Sequence, residues 1–165
     1  MDRELFSIDP GNLVGEGRFV ATARNEATRE LCRAYLASGA RLLAKRRMEL
    51  AVEHIEEAIR LARTNHDRLG EGAGLGLLGS ALFRWDDIEQ AIGCYEQALE
   101  IARETGGPKG QGYILFNMSL AWEALDDRVR AVEYAQAALS VLEPFGDAAA
   151  AHVRAQLAQW QGETR

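Results

Sequence analysis

The sequence predicts an all-α protein built from three repeated helical hairpins and a closing helix. Three observations carry this: an internal repeat of forty residues, apolar residues three and four apart within each copy, and no sustained strand-like alternation anywhere. Displaced by forty residues, Gly70, Gly72, Leu75, Ala81, Asp86, Asp87, Ala91, Ala98, Leu99 and Gly106 fall on Gly110, Gly112, Leu115, Ala121, Asp126, Asp127, Ala131, Ala138, Leu139 and Gly146, ten identities in one register. The same shift carries Gly39, Leu42, Ala51, Glu56, Ala58, Ala62 and Arg63 onto Gly79, Leu82, Ala91, Glu96, Ala98, Ala102 and Arg103, so a third copy precedes these two.

Each copy breaks twice. One break is a polar tight turn (Arg46-Arg47, Asp86-Asp87, Asp126-Asp127) and the other a Gly-, Pro- or Asn-rich joint (65–67, 106–108, 144–147). Two helices per repeat follow, near 25–45 and 48–64, 68–85 and 88–105, and 110–125 and 128–143, with a last helix near 147–161. The repeats then occupy about 25–64, 68–105 and 110–143 of a single domain spanning 23–162, preceded by a flexible or arm-like leader over 1–22. Stripes such as Ala91, Ile92, Tyr95, Ala98, Leu99 and Ala102 mark one apolar face per helix. The last helix carries Arg154, Gln156, Gln159 and Gln161 for water and reads as a solvating cap.

These residues resemble the tetratricopeptide repeat, whose first helix carries a large residue, then Leu-Gly, then an aromatic, and whose second carries Ala, an aromatic and Ala. The middle copy fits best, with Leu75, Leu78-Gly79, Leu82, Ala91, Tyr95 and Ala98 in those places. The forty-residue period is similar to the longer-helix variety of kinesin light chains and spindle-orientation adaptors. The third copy departs from the pattern with Ser119 for the glycine, Trp122 for the aromatic and Ala135 where an aromatic is usual. The resemblance implies a right-handed α-solenoid of three hairpins with a C-terminal capping helix. Packing physics points the same way, because helices approach to about 8–10 Å only where small side chains leave room. Gly39, Gly79 and Ser119 leave it on one helix of each pair, and Ala51, Ala91, Ala131, Ala58, Ala98 and Ala138 on the other.

Composition excludes several function classes. The chain has 165 residues and is 47% hydrophobic, enough for a core of its own without staples. Its formal charge of -6 opposes binding to a phosphate backbone. The densest basic run, Arg41, Lys45, Arg46 and Arg47, falls at a predicted helix C-terminus, where cations complement the macrodipole. No stretch is long and apolar enough for a membrane helix, and no secretory leader is recognisable, so a cytoplasmic location is expected. Cys32 and Cys94 lack a CxxC spacing or a nearby histidine and read as buried or idle thiols.

Little points to catalysis. A literal GxGxxG at residues 74–79 has no preceding strand, and its counterpart Ile114 to Ser119 lies inside a helix, so no dinucleotide site is expected. Gly79 has a packing reason, whereas Gly74 and Gly76 have none in the sequence. Gly11, Gly15 and Gly17 lack the ending of a phosphate loop. His54, His66 and His152 have no metal-ligand spacing and are expected to face solvent or sit in joints. The recurring Asp86-Asp87 and Asp126-Asp127 read as helix caps. We therefore expect no metal, no cofactor and no enzymatic activity.

What remains is surface. In the tetratricopeptide arrangement the first helix of each hairpin lines a concave groove, which places Arg33, Leu36, Ala37, Ala40, Leu43 and Ala44 there from the first repeat. The second contributes Ala73, Gly76, Leu77, Ser80, Phe83 and Arg84, the third Tyr113, Phe116, Asn117, Leu120, Glu123 and Ala124, and the cap Val153, Gln156, Leu157 and Trp160. Asn117 matches the asparagine that in some relatives holds a bound peptide's backbone, which the resemblance implies here. The expected function is a protein-interaction module whose partner's peptide or helix is anchored on Leu77, Phe83, Phe116 and Leu120 and oriented by Asn117 and Arg84. The alternative is a homo-oligomer whose groove takes the apolar leader (Leu5, Phe6, Ile8, Leu13, Val14, Phe19, Val20), and a third is a sensor of a small ligand or peptide.

Overall fold

The computed structural model describes residues 10–162, with side chains from Asn25 onward. Seven helices follow one another: α1 (Pro10–Ala44), α2 (Met48–Thr64), α3 (Arg68–Arg84), α4 (Ile88–Glu104), α5 (Pro108–Ala124), α6 (Arg128–Leu142) and α7 (Ala148–Gly162), the last preceded by a 3-10 turn, Glu143–Phe145. Helices α1/α2, α3/α4 and α5/α6 pack as hairpins, each hairpin stacks on the next, and α7 closes the array against α6. The predicted all-α solenoid is what the chain forms. One boundary differs. Helix α1 begins at Pro10 and not near residue 25, so residues 10–22 of the expected flexible or arm-like leader are helical; residues 1–9 lie outside the described residues.

The joints explain the regularity. Arg46, His66, Asp86, Gly106 and Asp126 all adopt positive φ, between 51° and 70°. After each, the next backbone N–H reaches back over the helix end: Arg47 to Leu42 O, Asp67 to Ala62 O, Asp87 to Leu82 O, Gly107 to Ala102 O and Asp127 to Trp122 O, at 2.8–3.1 Å. This is the left-handed closure that satisfies the last carbonyls of a helix. It recurs every twenty residues, so the turn inside a hairpin and the joint between hairpins are one structure. Helices α2 to α5 are accordingly all 17 residues long.

The start of the following helix is fixed by the residue after the left-handed one. Asp67, Asp87 and Asp127 accept hydrogen bonds from the backbone N–H of Gly70, Gln90 and Arg130. The aspartate pairs thus divide the work expected of both members: the first takes the left-handed turn and the second caps.

One continuous core runs from Leu43 and Ala51 to Trp160, with a smaller cluster of Cys32, Ala58, Leu61 and Ala62 under α1 and α2. Small residues set the helix approach. A Cβ on Gly39 would stand 2.6 Å from Ile55, one on Gly79 2.6 Å from the Tyr95 ring, and one on Gly112 2.5 Å from Leu142. Ala51, Ala91, Ala131, Ala58, Ala98 and Ala138 on the partner helices are fully buried, as is Ser119. Gly74 departs from the sequence reading, because a Cβ there would meet Ile59 at 2.5 Å, so it has a packing reason after all. Of that pair, Gly76 has room for a Cβ.

Candidate partner-binding trough

Between α1, α3 and α5 the small residues leave a trough of about 620 Å³. Its walls are Leu36, Ala37 and Ala40 from α1, Leu69, Ala73, Leu77 and Ser80 from α3, and Tyr113, Ile114 and Asn117 from α5. Its floor is Gly72 and Gly76 of α3, with Ala98, Ile101 and Ala102 of α4 showing through the gap between α3 and α5. None of the lining residues is charged. Gly76 keeps the trough open: the nearest atom to a Cβ there is Ile114 Cγ1, 3.9 Å away.

A polar thread crosses this apolar wall. Asn117 Nδ2 donates to Ser80 Oγ at 3.5 Å, Tyr95 OH reaches the same oxygen at 3.3 Å, and Ser80 donates to Gly76 O at 3.0 Å. Three helices are thereby tied at one point of the trough. At the rim, Tyr113 OH donates to Asp147 Oδ2 at 2.8 Å, and Asp147 Oδ1 accepts from Ala149 N–H at the start of α7. The Ala149 and Tyr113 hydrogen bonds hold the Asp147 carboxyl below the usual carboxylate range, and the same contact pushes the Tyr113 phenol up.

Of the ten residues expected to form the groove, Leu36, Leu77, Tyr113 and Asn117 line the trough together. Phe83, Phe116 and Leu120 are half-buried against the core beside it and do not line it. Arg84 is exposed, with Nη1 3.3 Å from Leu43 O. Two residues are corrected outright: Leu43 is 4% and Trp160 1% exposed, both in the core, and Val153 and Leu157 of the cap are buried with them. Helix α7 packs against α6, so that stripe joins the core and does not face the trough. Sequence reading missed Leu69 and Gly72, one turn before Ala73 and Gly76 on α3, and Ile101 and Thr105, which enter the trough where α4 shows between α3 and α5; no spacing rule signals such a gap.

Among the described residues no three His, Cys, Asp or Glu side chains gather as metal ligands, and no helix is long and apolar enough to cross a membrane. Burial raises both thiols, and Cys32 Sγ is spent on Ala58 O at 3.3 Å. His66 and His152 are exposed as expected, but His54 is half-buried, 2.9 Å from Ser38 Oγ and edge-on to Tyr35.

A family model of the tetratricopeptide repeat matches residues 30–104 and, in an overlapping register, 75–144. The chain belongs to the tetratricopeptide repeat family. Solved structures with the same fold include the apo form of RapI (12% identity, TM-score 0.76, covering 82% of this chain and 50% of that one). BtubC (BKLC) from P. vanneervenii is similar over 92% of this chain and 62% of its own (22% identity, TM-score 0.75). A putative kinesin light chain from Podosopora anserina with nearly identical TPR-like repeats is similar over 81% and 66% (16% identity, TM-score 0.69). This tetratricopeptide array therefore spans half to about two thirds of these chains. Among curated proteins none matches the sequence.

Proposed function

We propose that this chain is a non-catalytic protein-interaction module that takes an apolar segment of a partner polypeptide into the trough between α1, α3 and α5. The observation that carries this reading is the trough itself: a tetratricopeptide array that keeps about 620 Å³ open, walled by apolar side chains and crossed by one amide, has the make-up of a recognition site. Asn117 and Ser80 offer the polar contacts that orient a backbone, and Leu36, Leu77 and Tyr113 the apolar surface that a side chain would cover.

Gly76→Phe tests it without touching the core, since the Cβ at that position has room and the ring fills the trough. Proteins captured from a lysate of the source cells by the intact chain should be lost with Gly76→Phe at unchanged helical circular dichroism. Retention of the same set by the filled variant rejects the trough as the binding site.

The alternative is a homo-oligomer whose groove takes the apolar leader of its own chain or of a second copy. Sedimentation of the intact chain decides that reading: a monomer at all concentrations removes it.

A further inference from the structure

The first hairpin presents a face that the later hairpins have covered. Tyr35 is half-buried, whereas its counterparts in the repeat, Leu75 and Leu115, are 4% and 7% exposed, because α3 packs on α2 and α5 on α4. Leu31 is 48% exposed where Glu71 is buried. Helix α2 adds His54, edge-on to Tyr35 and 2.9 Å from Ser38 Oγ. One turn before it comes Leu50, exposed, where the later copies have Gln90 and Arg130. Helix α1 also outruns its partner. Asn65, just past the end of α2, donates to Asn25 O, so residues 10–24 continue α1 beyond α2, a length of about 22 Å. At three- and four-residue steps a single stripe runs along α1 from Leu13 through Val20 to Leu31, Tyr35 and Leu42.

We propose that this face is covered by a second copy of the chain, the two α1 helices lying antiparallel about a two-fold axis between Ala27 and Thr28. The stripe reads alike in both directions. Counting outward from that axis, Leu13 of one copy meets Leu42 of the other, Val20 meets Tyr35, and the small Gly17 meets the small Ser38. A surface that docks on its own copy must be self-complementary in this way, whereas one made for an unrelated partner has no such requirement. Small residues opposite one another let two helices approach closely. Charge agrees with the same register. Arg24 falls one residue from Glu30 of the other copy and Glu16 two from its Arg41, each pairing of opposite signs occurring twice by symmetry. Each copy lends a helix face about 45 Å long and about 11 Å wide, so the two together cover about 1,000 Å², the area at which stable interfaces begin. Leu36, Ala37 and Ala40, which line the trough, lie on another face of α1, so this contact leaves both troughs uncovered.

Sedimentation of the full chain over a range of concentrations, with cross-linking to fix the register, tests this. The intact chain should sediment at twice the mass of one copy, and so should Gly76→Phe, whose change lies in the trough. The pair Leu31→Glu, Tyr35→Glu should weaken dimerisation at least tenfold at an unchanged helical spectrum. Ala27→Cys, next to the axis, should join two copies through a disulfide on oxidation with diamide, while Ala40→Cys in the trough wall and the intact chain, with its own Cys32 and Cys94, remain single. A monomeric intact chain overturns the proposal. So does a dimer that the glutamate pair leaves equally tight, or one that Ala27→Cys fails to capture. Loss of the dimer in Gly76→Phe, with cross-linking at Ala40→Cys, overturns it in favour of a copy seated in the trough. Should the glutamate pair lose its helices, the cross-link at Ala27, an exposed position, decides alone.

Discussion

Three glycines within six residues of α3 do different things, and their substitution should separate them. Gly79 and Gly74 are close-approach positions, where a Cβ would stand 2.6 Å from Tyr95 and 2.5 Å from Ile59, whereas Gly76 borders open space. Gly76→Ala should raise stability by about 0.5–1 kcal/mol through helix propensity and reduced freedom of the unfolded chain. Gly79→Ala should lower it by about 1–3 kcal/mol by overpacking, since Ala91 O also lies 3.1 Å from the new atom. Urea midpoints at constant m-value read both. The left-handed turns give a second contrast. Arg46 holds φ of 57° and Gly106 φ of 70° at equivalent places. Arg46→Gly should therefore stabilise by about 0.5–1 kcal/mol, and Gly106→Ala destabilise by a similar amount. The sequence showed which glycines recur but not what faces them, and this is why Gly74 escaped it: its partner Ile59 belongs to the preceding hairpin, and periodicity along one helix carries no information about a neighbour's side chain. The same blindness put Leu43 and Trp160 in the groove, since a helical stripe identifies a face without saying whether that face is covered.

Helix starts and the contacts between successive helices carry the next level of order. The cap aspartates were readable because Asp87 and Asp127 recur in register; Asp67 does the same work in the joint between hairpins. Asp87→Ala should cost about 1 kcal/mol, visible as a lower melting temperature. What no pattern announced is the ladder at the α2–α3 joint. Glu71, 9% exposed, accepts from Arg63 Nε and Arg68 Nη1 at 2.8 Å each, and Arg68 turns its other nitrogen to Glu104 at 2.6 Å, so one buried acid ties three helices. Burial pushes the Glu71 carboxyl up, but the hydrogen bonds from the two arginines outweigh it and hold the group below its ordinary value. A carboxyl that ionises more readily folded than unfolded contributes stability above its unfolded pKa and loses it as pH falls through the folded one. Melting temperatures should hence decline on acidification through and below the ordinary glutamate range, and Glu71→Gln should flatten that decline while lowering stability at pH 7. A parallel slope in the variant would show that other carboxylates carry the acid sensitivity.

Because each hairpin touches only its neighbours, the stability of the array is a sum of units and interfaces, and damage should spread from where it is made. Hairpin order, helix number and the closing helix were all readable from the forty-residue period, since stacking is the one way a repeat of this length buries its apolar face. Helix α7 packs chiefly on α6, through Ala150, Val153, Leu157 and Trp160, and it is linked to α5 by the Tyr113–Asp147 contact at the trough rim. Trp160 is the largest fully buried side chain among the described residues, and its truncation to alanine should destabilise that one interface by about 3–5 kcal/mol. In Trp160→Ala, amide exchange should quicken in α7 first, then in α5 and α6, with α1 and α2 close to their rates in the intact chain. Since Asp147 anchors Tyr113, fraying of α7 should also loosen the α5 wall of the trough, lowering affinity for the partner more than Arg154→Ala, a change on the exposed face of the same helix. Uniform acceleration over all seven helices would mean instead that the three hairpins unfold as one cooperative body, with interfaces between repeats stronger than the repeats they join.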